Sequence, residues 1–145
     1  MGQAVSYLNY KYSYNNCQLH KKLIYNLSIQ EQLYLPDAVE ETFYFNAVGN
    51  LDSIVRQNVV IDQNLNVTNS QGNYKNRIVK IYLEYDNTPN IFKKLRLKED
   101  FFDRSLSKNN PIKIRGNGYV NNKIDRYWSN SILYKYSNKH IDLMQ

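Results

Sequence analysis

The chain has 145 residues, of which 42% are hydrophobic and 22% charged, a balance that suits one globular domain with a core of its own and excludes wholesale disorder. The net charge is +6 and unevenly placed: residues 1–72 hold four Lys/Arg against six Asp/Glu, whereas residues 73–145 hold fifteen against seven. That asymmetry fits a polyanion or an acidic partner for the second half, and equally a solvated basic surface with no ligand.

Along the chain, Tyr7, Tyr10, Tyr12 and Tyr14 stand in a polar context. Leu19, Leu23 and Leu27 then recur every four residues, which predicts a short amphipathic helix over Gln18 to Leu33. Leu35-Pro36-Asp37 breaks that pattern, so residues 1–34 read as an amino-terminal extension and residues 35–145 as the domain proper. Phe43, Phe45, Ala47, Gly49 and Leu51 alternate with polar neighbours and predict a strand that bends at Gly49. Val59-Val60-Ile61 and Leu65-Asn66-Val67 read as a second strand or a bulged pair, ending in a turn at Ser70 to Asn73. Arg77 to Tyr85 is the clearest strand, with Val79, Ile81, Leu83 and Tyr85 on one face and Lys80, Tyr82 and Glu84 on the other. Glu99 to Leu106 suits a short helix behind acidic residues, closed by Asn109-Asn110-Pro111. Ile112 to Val120 reads as a strand curved at Gly116 and Gly118, a turn follows at Asn121-Asn122, and Ile124 to Trp128, Ile132 to Tyr136 and Ile141 to Leu143 supply the last strand material.

Three strands, a short helix and two closing strands form the connectivity of the OB-fold, so the expectation is a mainly β protein. Its form would be a small five-stranded Greek-key barrel with a short helix between strands 3 and 4 and a helical amino-terminal extension. Phe45-Asn46-Ala47-Val48-Gly49-Asn50-Leu51 resembles the opening strand of single-strand-binding proteins, and Pro111 to Val120 resembles their fourth strand. Tyr34-Leu35-Pro36-Asp37-Ala38-Val39, followed by the glycine strand, is similar to the opening of the telomere OB proteins that form the smallest subunit of the CST complex. The resemblance spans residues 34 to 143. It implies a nuclear, noncatalytic OB-fold subunit of a telomere, telomerase-associated or single-stranded-DNA-binding complex that pairs with another OB-fold protein. The chain departs from that family in lacking room for a carboxy-terminal pairing helix. The Leu19, Leu23 and Leu27 face is the candidate partner-binding surface in its place.

Chemistry-bearing motifs are few. Gly116-Asn117-Gly118 lacks the Lys-Ser/Thr of a phosphate-binding loop, no nucleophile stands beside a base, and the expectation is no enzyme activity and no cofactor. Cys17, His20 and His140 are too few to make a disulfide or a structural zinc site. No run approaches the ~18 apolar residues of a membrane span. Single-stranded nucleic acid is held by basic grooves with aromatic platforms. Lys80 and Tyr82 on one strand, Lys113, Arg115 and Tyr119 on another, and Lys123, Arg126, Tyr127 and Trp128 in the adjoining hairpin supply both. Trp128, the only tryptophan, serves equally as a core-capping residue. A different class of function comes from Met1-Gly2-Gln3-Ala4-Val5-Ser6, which matches the myristoylation pattern with Gly2 as acceptor and would make the chain a peripheral scaffold on the cytoplasmic face of a membrane.

Overall fold

The computed structural model describes residues 8–26, 37–69, 77–94, 105–137 and 140–144, and tight turns explain most of the arrangement. Asn16 and Cys17 both take positive φ, 47° and 62°, the left-handed conformation that a two-residue hairpin turn demands and asparagine tolerates. They join strand β1 (Leu8–Asn15) to β2 (Gln18–Asn26), an antiparallel pair. After β3 (Asp37–Phe45), β4 (Leu51–Ile61), β5 (Val67–Asn69) and β6 (Arg77–Pro89) comes a single 3-10 turn at Ile91–Lys94. Strand β7 (Asn109–Val120) then passes through Asn121 and Asn122, φ 50° and 63°, into β8 (Lys123–Ser131). Among the described residues, strands β9 (Leu133–Ser137) and β10 (His140–Met144) form a two-stranded antiparallel sheet.

Two further turns share one design. Asn46 Oδ1 accepts the backbone N–H of Val48 and of Asn50, while Gly49 adopts φ 87°. Sixteen residues on, Asp62 Oδ1 accepts the N–H groups of Asn64 and Asn66, both at 2.8 Å, and Leu65 adopts φ 61°. The hydrogen bond from the Asn66 backbone holds the Asp62 carboxyl below its ordinary value. A side-chain oxygen that captures two backbone donors competes with a strand ladder. This corrects the expected strand through Asn46 to Leu51: β3 stops at Phe45, although the apolar alternation continues.

The described residues are mainly β. Hydrogen-bonded neighbours follow the order β1-β2-β3-β4-β6-β7-β8, with β5 on β4, in an antiparallel sheet of eight strands. Nearly every strand therefore lies beside its sequence neighbour, as short turns favour, and this order differs from the five-stranded Greek key expected. The amino-terminal helix is also corrected over 18–26, where the chain is strand β2. Leucines four apart satisfy a strand period of two as well as a helical period, and the Asn16-Cys17 turn selects the strand. Leu27, the turn at Ser70 to Asn73 and most of the expected helix at Glu99 to Leu106 lie outside the described residues.

The chain divides into two compact units. The first comprises Met1–Phe43, Val55–Val79 and Gly118–Asp125. Register pairs Leu23 with Glu40 and Tyr25 with Ala38, which puts Leu23, Tyr25 and Ala38 on one face of the sheet. There they pack with Val59, Ile61 and Leu65, and burial of each large aliphatic side chain contributes about 1.5–3 kcal/mol. The left-handed Leu65 packs its side chain against this cluster, so the turn that strains it also seats it. Glu40 accepts Lys21 at 3.0 Å and Gln57 at 3.2 Å.

The alternate residues of β2 and β3 carry charge inward. Lys22 lies opposite Glu41 in register, and its Nζ is 2.8 Å from Oε2 of a carboxylate that is wholly buried. Arg56 Nε donates to Oε1 at 2.7 Å, and its Nη2 donates to the same oxygen. Lys22 also sits 5.8 Å over the ring of Tyr10, which stacks on Tyr12.

The second unit comprises Tyr44–Ile54, Lys80–Asn117 and Arg126–Gln145. Its buried polar groups are satisfied by one another. Leu51 N–H donates to Ser107 Oγ at 2.9 Å, Ser107 Oγ–H to Tyr85 Oη at 2.6 Å, and Tyr85 Oη–H to Leu51 C=O at 2.7 Å. This closed ring ties β4 and β6 to the approach to β7. Asn110, fully buried, accepts Ile91 N–H and donates to Thr88 Oγ1 and Pro89 C=O. Replacing Ser107 with alanine leaves the Leu51 N–H buried without an acceptor and should lower the unfolding free energy by about 1–3 kcal/mol. Urea unfolding measures this; an unchanged midpoint would mean that the ring adds nothing to stability.

Candidate nucleic-acid interface

Strand alternation builds the site. On β6, Ile81 and Leu83 are buried, which turns Lys80, Tyr82 and Glu84 to the other face. On neighbouring β7, Lys113, Arg115 and Asn117 share one face, and Arg115 Nη2 meets Glu84 Oε1 at 3.0 Å. Tyr82, Arg115 and Asn117, together with Tyr127 from β8, line an open cavity of about 210 Å³. Small-molecule pockets usually begin near ~300 Å³, so this shallow site suits one flat group held against a surface.

The two tyrosines offer ring faces, the guanidinium a positive charge with several donors, and the carboxamide of Asn117 both donor and acceptor. Side chains of Arg115 and Glu84 are 44% and 42% exposed, so their ion pair is worth at most about 1 kcal/mol and is open to exchange with an external anion.

Of the expected nucleic-acid residues, Tyr82 and Arg115 meet in this cavity, and Lys80 and Lys113 share its strand faces. Trp128 does not join them. Its indole lies over Gly116, which sits on the opposite side of β7 from Arg115 and Asn117, and Arg126 alternates with Tyr127 in the same sense. Tyr119 and Lys123 belong to the first unit, the former half-buried and the latter exposed. Asn117 and Glu84 were not among the expected site residues, although Asn117 stands two positions beyond Arg115 on the same face. Of the expected partner-binding leucines, Leu19 and Leu23 are buried. Gly2 and Leu27 lie outside the described residues.

A second cleft of about 680 Å³ includes Asn46, Asn50 and Asn109 in its lining. Their carboxamides are engaged in turn and strand contacts: Asn50 with Asn109 in both directions, and Asn109 with Thr88 C=O. Among the described residues no group of three His, Cys, Asp or Glu side chains is placed to hold a metal ion. Nor is any helix there long and apolar enough to cross a membrane. No family model matches this chain, and neither a curated protein nor a solved structure matches it.

Proposed function

We propose that the protein is a noncatalytic binding subunit that holds single-stranded nucleic acid on the Tyr82–Arg115–Asn117–Tyr127 face. The observation that carries this reading is the meeting of two tyrosine rings, a guanidinium and a carboxamide in one open, shallow site. Single-stranded binders need that combination: each base stacked on an aromatic ring contributes about 1–3 kcal/mol, and basic side chains follow the phosphates. A duplex hides the ring faces of its bases and gains only the second term.

Such a subunit works with another protein, and the resemblance to telomere OB proteins supports an OB-fold partner in a nuclear telomere or telomerase-associated assembly. Fluorescence anisotropy of labelled single-stranded DNA at low and high salt tests the reading. The double variant Lys113→Glu and Arg115→Glu should bind about tenfold more weakly, a loss of about 1.4 kcal/mol. Its salt dependence should also be shallower by about 1.4 in log–log slope, since two phosphate contacts disappear. Equal affinity and slope for wild type and variant would reject this face.

A further inference from the structure

The ion pair inside the proposed site has a consequence for how ligand enters it. Arg115 is held by Glu84, Nη2 to Oε1 at 3.0 Å, and a carboxylate presents oxygens to a guanidinium much as a phosphate does. Glu84 stands two residues beyond Tyr82 on the same face of β6, and Arg115 stands two before Asn117 on β7. The carboxylate therefore occupies the position from which a backbone phosphate would reach Arg115 while its base lies against Tyr82 or Tyr127.

We infer that Glu84 is an internal stand-in for phosphate: it fixes Arg115 beside the two tyrosines in the empty site and must be displaced from Arg115 when a nucleic-acid strand binds. This rests on the single-strand reading above and adds the way the site is restrained. Two opposing effects follow from the geometry. Pairing orients the arginine before binding, which favours the ligand. Yet the incoming phosphate must break the pair and then lie close to a carboxylate that has lost its counter-charge. Because both side chains are little desolvated, the orienting gain is small, and the competition decides the sign.

Glu84→Gln keeps the side-chain shape and removes the charge. It should tighten binding of a fluorescein-labelled single-stranded DNA oligonucleotide roughly two- to fivefold at low salt, the range that a surface ion pair supports. The gain should fade as salt rises, since salt screens exposed pairs. Any loss of negative charge could strengthen DNA binding at long range, so two comparisons separate the local exchange from bulk charge. Asp62→Asn makes the same change of net charge in the other compact unit, keeps the oxygen that holds its turn, and should leave affinity unchanged. In an Arg115→Gln background, Glu84→Gln should lose its effect, because the arginine it restrains is gone.

Tighter binding that requires Arg115 supports the inference. Equal or weaker binding by Glu84→Gln, or an equal gain with and without Arg115, overturns it while leaving the single-strand reading intact. Binding that appears only in Glu84→Gln supports it in its strongest form, with the carboxylate closing the site. Absence of binding by both wild type and Glu84→Gln overturns the single-strand reading and this inference together.

Discussion

Replacing Glu41 with glutamine should lower the unfolding free energy by about 3–5 kcal/mol. Glu41 is wholly buried, forms an ion pair with Lys22, itself only 6% exposed at the side chain, and accepts hydrogen bonds from Arg56, which is 45% exposed. The amide keeps the shape but removes the charge. Lys22 then loses the charge of its buried counter-ion, with the ring of Tyr10 5.8 Å away. Arg56 can turn towards water and suffers little. The cost therefore falls on the lysine, and it is large beside a total stability of about 5–15 kcal/mol for a domain of this kind.

The same logic predicts that removing the pair together costs far less than removing one member. A Lys22→Met, Glu41→Leu double variant should recover most of the loss, because apolar groups of similar size replace both charges. Urea unfolding of the single and double variants measures both quantities. If Glu41→Gln costs less than about 1 kcal/mol, the range of an exposed pair, the cluster is effectively solvated and its burial has no energetic weight.

How much of this was legible in the sequence depended on which residues set each element. Strand β6 was readable because Ile81 and Leu83 alternate with Lys80, Tyr82 and Glu84 without interruption. The β7–β8 hairpin was readable because Asn121-Asn122 supplies the left-handed turn. Strand β2 was misread because Leu19 and Leu23 fit two periods at once, and the deciding information lay in the preceding Asn16-Cys17 turn. The turn at 46–50 was hidden because Phe45, Ala47, Gly49 and Leu51 keep a strand-like alternation while Asn46 captures the backbone donors. The ionic centre at Glu41 was invisible: acidic residues in a strand pattern normally mark the solvent face, and only the register against Lys22 shows otherwise.

The interface was legible in its parts and not in its parity. An uninterrupted two-residue hairpin about Asn121-Asn122 pairs Val120 with Lys123, and counting outward sets Arg115 opposite Trp128. The structure instead brings Tyr127 to Arg115 and Asn117, and Trp128 to Gly116. Further along, Ile132 N–H donates to Ile112 C=O, one residue out of step with that count. A single offset in a ladder moves every later side chain to the other face, and no local pattern in the sequence announces it.

That offset gives Gly116 a sterically exacting position. A β-carbon built there would overlap Cε2, Cζ2 and Nε1 of Trp128, so the ring as a whole would have to leave its seat. No positive φ is involved, and space alone excludes a larger residue. Gly116→Val should therefore destabilise the fold by about 3 kcal/mol, the upper part of the range for inserting methyl groups into a packed site. Part of that is the apolar area an indole loses when it is displaced. As the only tryptophan, Trp128 reports its own displacement: its emission should shift to the red in the folded variant. In a Trp128→Ala background the added cost of Gly116→Val should shrink, since the atoms it strikes are absent. The same placement predicts that single-stranded DNA bound against Tyr82 and Tyr127 leaves the emission of wild-type Trp128 unquenched. Quenching on binding would mean that the indole itself stacks on a base, and the interface would then lie on the opposite side of β8.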